Sequence, residues 1–481
     1  MNRYRMIGFL MALLLFTSCK KKNDTNNAEL TASPAEIMLP AEGGTADLAI
    51  SGNLKWTISN AAAWLQLSTT SGNSGSNTIK LTSTSNETGS TRLVYLSVNF
   101  SNGQARRVKV SQRPTLYPSY NTSPKAPDST GMSTAVQLAA KFKLGWNIGN
   151  TLEAPNGETG WGNPQITESY IKFVKQQGFT AIRLPCAWNW THLSDEKTAK
   201  IDPAWLNRVK EIVGYCVNND LYVMLNIHWD GGWLENNISK LKQDSVNAKQ
   251  KALWEQIATT MRDFDEHLML ASANEPAAHN AEETEILSQY HQTFINAVRS
   301  TGGKNSHRVL ILQGPSTSAS LTAGLMTTLP KDPAANRLMV EVHNYTPSLF
   351  CFIGEDQSWG RMIYYWGNGN HSTIEPDRNA TFGEESEIIS DYNKVKTAFI
   401  DKGIPVIMGE YGAYRRKGPT NIPKDMEKHE ASVDYWTTFT TKEALARGIK
   451  PFWWDTGGAL DRANNTVKDQ RTIDALMAAT K

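Results

Sequence analysis

From Lys143 onward the chain alternates short apolar runs with amphipathic stretches, and this alternation constrains the fold more than any other feature. Eight runs have the length and bounding turn residues of fully buried parallel strands. They are Lys143–Asn150, Thr180–Pro185, Tyr222–His228, Leu268–Pro276, Arg308–Gly314, Leu338–Tyr345, Pro405–Gly412 and Lys450–Asp455. Helical periodicity fills most of the intervals, as in Thr167–Gln177, Pro203–Asn219, Ala248–Phe264 and Glu282–Arg299. Eight such units in about 350 residues predict an α/β fold, an eight-stranded β/α (TIM) barrel with extended loops after its strands. An open doubly wound sheet usually carries a Gly-rich first turn, and Gly145-Trp146-Asn147-Ile148-Gly149-Asn150 is not that pattern.

The residues before the barrel have a different texture. Arg3 and Arg5 precede an apolar stretch, Met6 to Phe16, that has the length of a signal h-region and is too short to span a bilayer. It ends in Phe16-Thr17-Ser18-Cys19, which resembles a bacterial lipobox with Cys19 as the lipidated first residue of the mature chain. Residues 1–19 thus read as a lipoprotein signal peptide and 20–30 as a polar tether. Residues 31–114 show short alternating runs between Gly, Ser and Asn, such as Leu93-Val94-Tyr95-Leu96-Ser97-Val98. That pattern predicts a small all-β, immunoglobulin-like sandwich. Residues 115–132, rich in Pro, Ser and Thr, read as a linker, with 133–481 as the barrel. A lipid anchor would place the protein in the cell envelope, at the periplasmic or outer face of the outer membrane.

The 481 residues carry a formal net charge of +2, which gives no basic patch for nucleic acid. Beyond Cys19 the cysteines are Cys186, Cys216 and Cys351, an odd set with neither CxxC nor metal-ligand spacing. No metal or other cofactor is expected, and the protein is expected to act as a monomer. Fifteen Trp and fifteen Tyr beside fourteen Phe favour side chains with an apolar face and a polar handle, which suit sugar surfaces.

The chemistry concentrates at the strand ends. Ala273-Asn274-Glu275-Pro276 and Met408-Gly409-Glu410-Tyr411-Gly412 each place a glutamate after an apolar run, where burying a carboxylate costs several kcal/mol unless it is paired or used. Arg183, His228, Asn274, His343, Tyr345, Trp453 and Trp454 fall at the same ends of other runs. In a β/α barrel these ends converge on one face. Two glutamates meeting there suit hydrolysis of a glycosidic bond.

Ile182-Arg183-Leu184-Pro185, Asn226-Ile227-His228, Ala273-Asn274-Glu275-Pro276, Val342-His343-Asn344-Tyr345, Gly409-Glu410-Tyr411-Gly412 and Phe452-Trp453-Trp454-Asp455 resemble the signature of glycoside hydrolase family 5. Gly145–Leu152 and Gly160-Trp161-Gly162-Asn163-Pro164 are similar to its subfamily 4, the endoglucanase and xyloglucanase branch. Trp56-Thr57-Ile58-Ser59, Trp64-Leu65 and Val108–Gln112 resemble the BACON domain, in a Bacteroidetes-type lipoprotein arrangement. The family resemblance implies a retaining endo-β-1,4-glucanase acting on cellulosic, mixed-linkage or xyloglucan polymers. Glu275 would be the acid/base and Glu410 the nucleophile. Arg183 and Tyr345 would hold Glu410 ionised, His343 would orient Glu275, and Asn274 and His228 would bind sugar hydroxyls. Trp453, or its neighbour Trp454, would floor the site. Burial and the charge of Glu410 should raise the pKa of Glu275. Trp161, Trp188, Trp229, Trp233 and Trp359 are candidate glycan platforms, with Trp190, Phe350, Phe352, Tyr364, Tyr365 and Trp366. The subfamily often has two consecutive histidines where this chain reads His228-Trp229. An endo-mannanase or endoxylanase would share the scaffold. A non-hydrolytic glycan-binding lipoprotein would be expected to lack one of the glutamates.

Overall fold

A computed structural model describes residues 30–59 and 62–481, so Cys19, the signal segment and nearly all of the tether lie outside the described residues. The described chain divides after Thr115 into two units. The first is a sandwich of two sheets. One contains Thr31–Ser33, Gly43–Gly52, Gly75–Thr84 and Leu65–Leu67; the other contains Glu36–Leu39, Ala105–Gln112, Arg92–Phe100, Trp56–Ser59 and Ser71–Gly72. Alternation along the strands buries Leu48, Ile50, Ile79, Leu81, Leu96, Val98, Val108 and Val110 between the sheets. Trp56 belongs to this core: its ring lies so close to Gly72 that a Cβ there would sit 2.4 Å from the indole.

The second unit is a closed parallel barrel. Its strands are β1 Gly145–Ile148, β2 Ala181–Leu184, β3 Tyr222–Asn226, β4 Leu268–Ala271, β5 Leu310–Ser318, β6 Leu338–Asn344, β7 Val406–Tyr411 and β8 Lys450–Asp455. Seven fall within the runs that announced them, and β5 continues four residues past its run, from Gly314 to Ser318. The helices Glu168–Gln176, Pro203–Asn218, Gln243–Met261 and Ala281–Ser300 match the periodic intervals. Cap residues fix several of their starts: Thr167, Asp202 and Asn280 each accept a first-turn N–H.

The strand alternation sorts the barrel interior into layers. Outward residues such as Ile182, Leu184, Val223, Leu225, Leu270, Leu312, Val340, Val342 and Met408 join the helices in the main core. Inward residues Ala181, Met224, Met269, Ile311, Met339, Ile407 and Phe452 form an apolar plug. One step nearer the carboxyl ends the inward positions turn polar: Asn147, Arg183, Asn226, Gln313 and Glu341, all buried. The plug gives the upper layer a dry floor, which strengthens every electrostatic interaction above it.

The segment 115–132 departs from its reading as a linker. From Leu116 it belongs to the barrel unit. The Tyr120 N–H and Ser119 hydroxyl donate to Glu255 Oε2 at 2.6 and 3.1 Å, and the Tyr120 hydroxyl donates to the Thr198 carbonyl at 2.9 Å. Proline-rich composition signalled an absence of helix and strand, and an extended segment strapped to a helix has the same composition.

Candidate active site

Glu410 reaches the barrel interior through a local irregularity. In β7, Ile407 points inward and Met408 outward, so plain alternation would turn Glu410 away from the site. The pairing with β6 slips at this point, from Val342 opposite Met408 to His343 opposite Glu410, which inserts Gly409 as a bulge. A bulge re-aims the next side chain. Gly409 is needed for it, because a Cβ there would lie 1.8 Å from Glu341 Oε1. The nucleophile candidate is therefore placed by the glycine before it.

Around Glu410 the charges interlock. Arg183 Nη1 donates to its Oε1 at 2.7 Å and the Tyr345 hydroxyl to its Oε2 at 3.0 Å. Arg183 also gives Nη2 to Asn274 Oδ1 at 2.7 Å and lies 3.2 Å from Glu341 through Nε. Asn147 Oδ1 accepts from Arg183, while its amide donates to the Gly409, Phe452 and Trp453 carbonyls. His343 bridges the carboxylates, with Nδ1 2.8 Å from Glu275 Oε1 and 3.8 Å from Glu410 Oε2, and Nε2 3.1 Å from Glu341 Oε1. Ligating atoms of Glu275, His343 and Glu410 all lie within 4.8 Å of one another. That separation suits direct attack by one carboxylate; about 6.5–9.5 Å would be needed to admit a water between them.

The proton arrangement differs from the sequence expectation. Burial alone would raise the Glu275 carboxyl, but the hydrogen bond and charge of His343, with the charge of Arg183, hold it below the usual range. Glu410 moves the other way: burial raises it, and the charges of Glu275 and Glu341 add to that against His343 and Arg183. Burial opposes the His343 imidazolium, yet Glu410, Glu275 and Glu341 push it up to about 10. The exchangeable proton thus belongs to the Glu275–His343 pair and rests mainly on the ring.

Tryptophan placement corrects a further expectation. Trp453 is outward and buried, its ring edge-on to Tyr411 at 5.2 Å. Trp454 lies opposite Asn147 on the inward register and is nearly parallel to the His228 ring at 5.7 Å and 9°. The ring that faces the site is therefore Trp454, with His228 alongside; Gly149 leaves it room, since a Cβ there would approach the ring to 2.8 Å.

The candidate platforms divide in the same way. Trp188 is fully buried, with its indole N–H on the Asn226 carbonyl, and Phe350, Tyr364, Tyr365 and Trp366 are core. These five brace loops. Trp161, Trp190, Trp229, Phe352 and Trp359 are exposed, whereas Trp233 is half-buried and tied to Asp230. Trp190 and Trp229 meet edge to face at 5.0 Å, and Phe352 lies 5.5 Å from Tyr345.

Four supporting residues escaped the sequence reading. Glu341 and Gln313 left a signal, a polar residue inside an apolar run at inward spacing. Gln313 receives the Ala273 N–H at 2.8 Å and donates to Glu341 at 2.5 Å. Asn147 sat inside a quoted motif without a role. Glu235, in the loop after β3, left no signal.

Known proteins are similar to this chain over both of its units. The profile of the cellulase family, glycosyl hydrolase family 5, matches residues 146–459, and that of a viral BACON domain matches residues 29–115. The chain is 31% identical to a xyloglucan-specific endo-β-1,4-glucanase of Bacteroides ovatus, over 98% of this chain and 96% of that protein. A Bacteroides ovatus family 5 xyloglucanase solved with a XXXG heptasaccharide superposes with a TM-score of 0.70 at 29% identity, covering 94% of this chain and 99% of that one. A xyloglucan-specific β-1,4-glucanase from a ruminal metagenomic library, solved with XXLG, has a TM-score of 0.66 at 39% identity, over 72% of this chain and 96% of that one.

Proposed function

The chain belongs to the cellulase family, glycosyl hydrolase family 5, and on that premise we propose a retaining endo-β-1,4-glucanase whose preferred polymer is xyloglucan. The observation that carries the mechanism is the close approach of Glu275 and Glu410 around His343. Glu410 attacks the anomeric carbon of the sugar resting on Trp454. As the C–O bond breaks, the Glu275–His343 pair passes its proton to the leaving oxygen. The ring proton crosses the 2.8 Å hydrogen bond to the Glu275 carboxylate, which hands it to the leaving oxygen, so the pair ends one proton short. Arg183 and Tyr345 donate to the Glu410 carboxylate before attack, and these bonds weaken as the carboxylate's charge is consumed in the ester. Water then enters; the pair takes a proton from it, the hydroxyl attacks the anomeric carbon, and Glu410 leaves as carboxylate. Net configuration is retained. Asn274, with Oδ1 committed to Arg183, offers its Nδ2 protons to the sugar 2-hydroxyl, a contact that strengthens toward the transition state.

Xyloglucan preference is supported by the relatives named above and by the exposed aromatic residues, which offer stacking faces for a chain longer than one sugar. We further propose that Cys19 carries a lipid that tethers the enzyme to the cell envelope. Reducing-sugar release by residues 20–481 on xyloglucan, mixed-linkage β-glucan, carboxymethylcellulose, xylan and glucomannan tests the substrate. The fastest release should come from xyloglucan, as oligosaccharides, and should vanish with Glu410→Ala. Faster release from another glucan would move the preference within the β-glucans. Cleavage of xylan or glucomannan alone would overturn the glucanase assignment.

A further inference from the structure

The hydrolytic steps do not use Glu235, a buried carboxyl beside the dyad. Glu235, 5% exposed, sits in the loop after β3. Strand β4 ends at Ala271, so Glu275 stands four residues beyond it in irregular chain, with no ladder to hold its amide. The N–H groups of Asn274 and Glu275 both donate to Glu235 Oε1, at 3.0 and 2.7 Å, and the Ala277 N–H donates to the Glu235 carbonyl at 3.1 Å. One side-chain oxygen therefore receives the backbone of both the acid/base and the residue that meets the 2-hydroxyl. Glu235 is itself well anchored. Its neighbours Leu234 and Ile238 share an apolar cluster with Ala273, Ala278, Ile286 and Tyr290, and the Tyr290 hydroxyl donates to the Asn237 carbonyl at 2.9 Å.

We propose that Glu235 is a positioning residue for the acid/base: it fixes the Asn274-Glu275 backbone so that the Glu275 carboxyl meets the leaving oxygen. The role rests on the acid/base assignment of Glu275 made above. It needs an acceptor atom and no charge. Burial, with the charges of Glu275 and Glu410 adding, pushes Glu235 up to about 8, so its neutral form is accessible and still accepts both N–H groups through Oε1. Displacement of a catalytic group by 1 Å costs about 100-fold in rate. A residue that merely satisfied two buried amides would affect stability and leave the relative rates of different substrates unchanged.

The test measures kcat/KM of the chain from residue 20, as wild type and as Glu235→Gln, Glu235→Met and Glu275→Ala. The substrates are xyloglucan, whose leaving group needs a proton, and 2,4-dinitrophenyl β-cellobioside, whose leaving group does not. Glu235→Met keeps side-chain length and removes the acceptor; thermal melting reports whether it folds. It should lose about 10- to 100-fold on xyloglucan with little change in KM, and stay within about threefold on the aryl glycoside. Glu235→Gln keeps an acceptor oxygen and should match wild type on both. A folded Glu235→Met that is unimpaired, or equally impaired on both substrates, overturns the role. Selective loss on xyloglucan in Glu235→Gln also overturns it, and that result decides the matter if the Met variant does not fold. Glu275→Ala separates the two readings: if it shows no selective loss on xyloglucan, the acid/base assignment itself has failed.

Discussion

At the scale of single residues, the site works by holding two carboxyls of opposite duty under one imidazolium. Glu410→Ala should lower kcat on xyloglucan by about 10⁴-fold or more with the melting temperature nearly unchanged, since no covalent intermediate can form. Activated aryl glycosides should not rescue it. Glu275→Ala should lose about 10²–10⁴-fold on xyloglucan, and kcat/KM on dinitrophenyl cellobioside should stay near wild type, because only the former needs the proton. Equal rescue of both variants would mean that the assignment is reversed or wrong. The pH profile follows from the same groups. Activity requires Glu410 ionised, and burial raises Glu410, so the acid limb of kcat/KM should fall above the ordinary glutamate value of 4.5. It also requires a proton on the Glu275–His343 pair, and with His343 pushed up to about 10 the alkaline limb should lie well above neutrality. The two limbs are macroscopic properties of the coupled set. An acid limb at or below the ordinary value, measured on a soluble oligosaccharide, would contradict this charge arrangement.

Between residues and the whole barrel, the irregularities carry the chemistry. The β7 bulge turns Glu410 inward, and Gly409→Ala should force its Cβ into the Glu341 carboxylate. We expect a loss of about 1–3 kcal/mol from overpacking, seen as a lower denaturant midpoint, together with a fall in kcat as the nucleophile is displaced. The two consecutive tryptophans of β8 should behave differently. Trp454→Ala should raise KM at nearly constant stability, whereas Trp453→Ala should cost about 3–5 kcal/mol from its buried outward position. A stability loss in the first and a KM effect in the second would reverse the facing. This pair shows where sequence reading stops. Eight strands, the helices between them and the polar strand ends were legible because burial imposes period-two and period-3.6 patterns. Which of two adjacent Trp faces inward is a question of register, and a run of unbroken apolar residues carries no alternation to read. The β7 bulge was hidden for the same reason. Proton placement was hidden because it depends on His343 and Glu341, whose spacing from the glutamates exists only in the closed barrel. Glu235 lies in a loop, where a glutamate is ordinarily solvated and therefore draws no notice.

Over the whole molecule, the boundary between the units makes a prediction that composition alone would misplace. The barrel unit begins at Leu116, and the strap that follows closes over Glu255, whose side chain is 4% exposed. A truncate beginning at 116 keeps every hydrogen bond of the strap and should hydrolyse soluble xyloglucan at the rate of residues 20–481. A truncate beginning at 133 keeps the complete barrel and all named site residues, but removes the Tyr120 and Ser119 donors from Glu255. It also removes the Lys125 partner of Asp263 and the chain that pairs with Gly303. A buried carboxylate left short of donors costs about 1–3 kcal/mol or more. The shorter truncate should therefore melt several degrees lower while its kcat/KM at low temperature stays unchanged, because the strap touches the helix layer and no residue of the site. Thermal melts and initial rates on both truncates separate these effects. Equal melting temperatures would restore 115–132 to a linker, and a rate loss in the 116 truncate would give the sandwich a part in hydrolysis of soluble polymer.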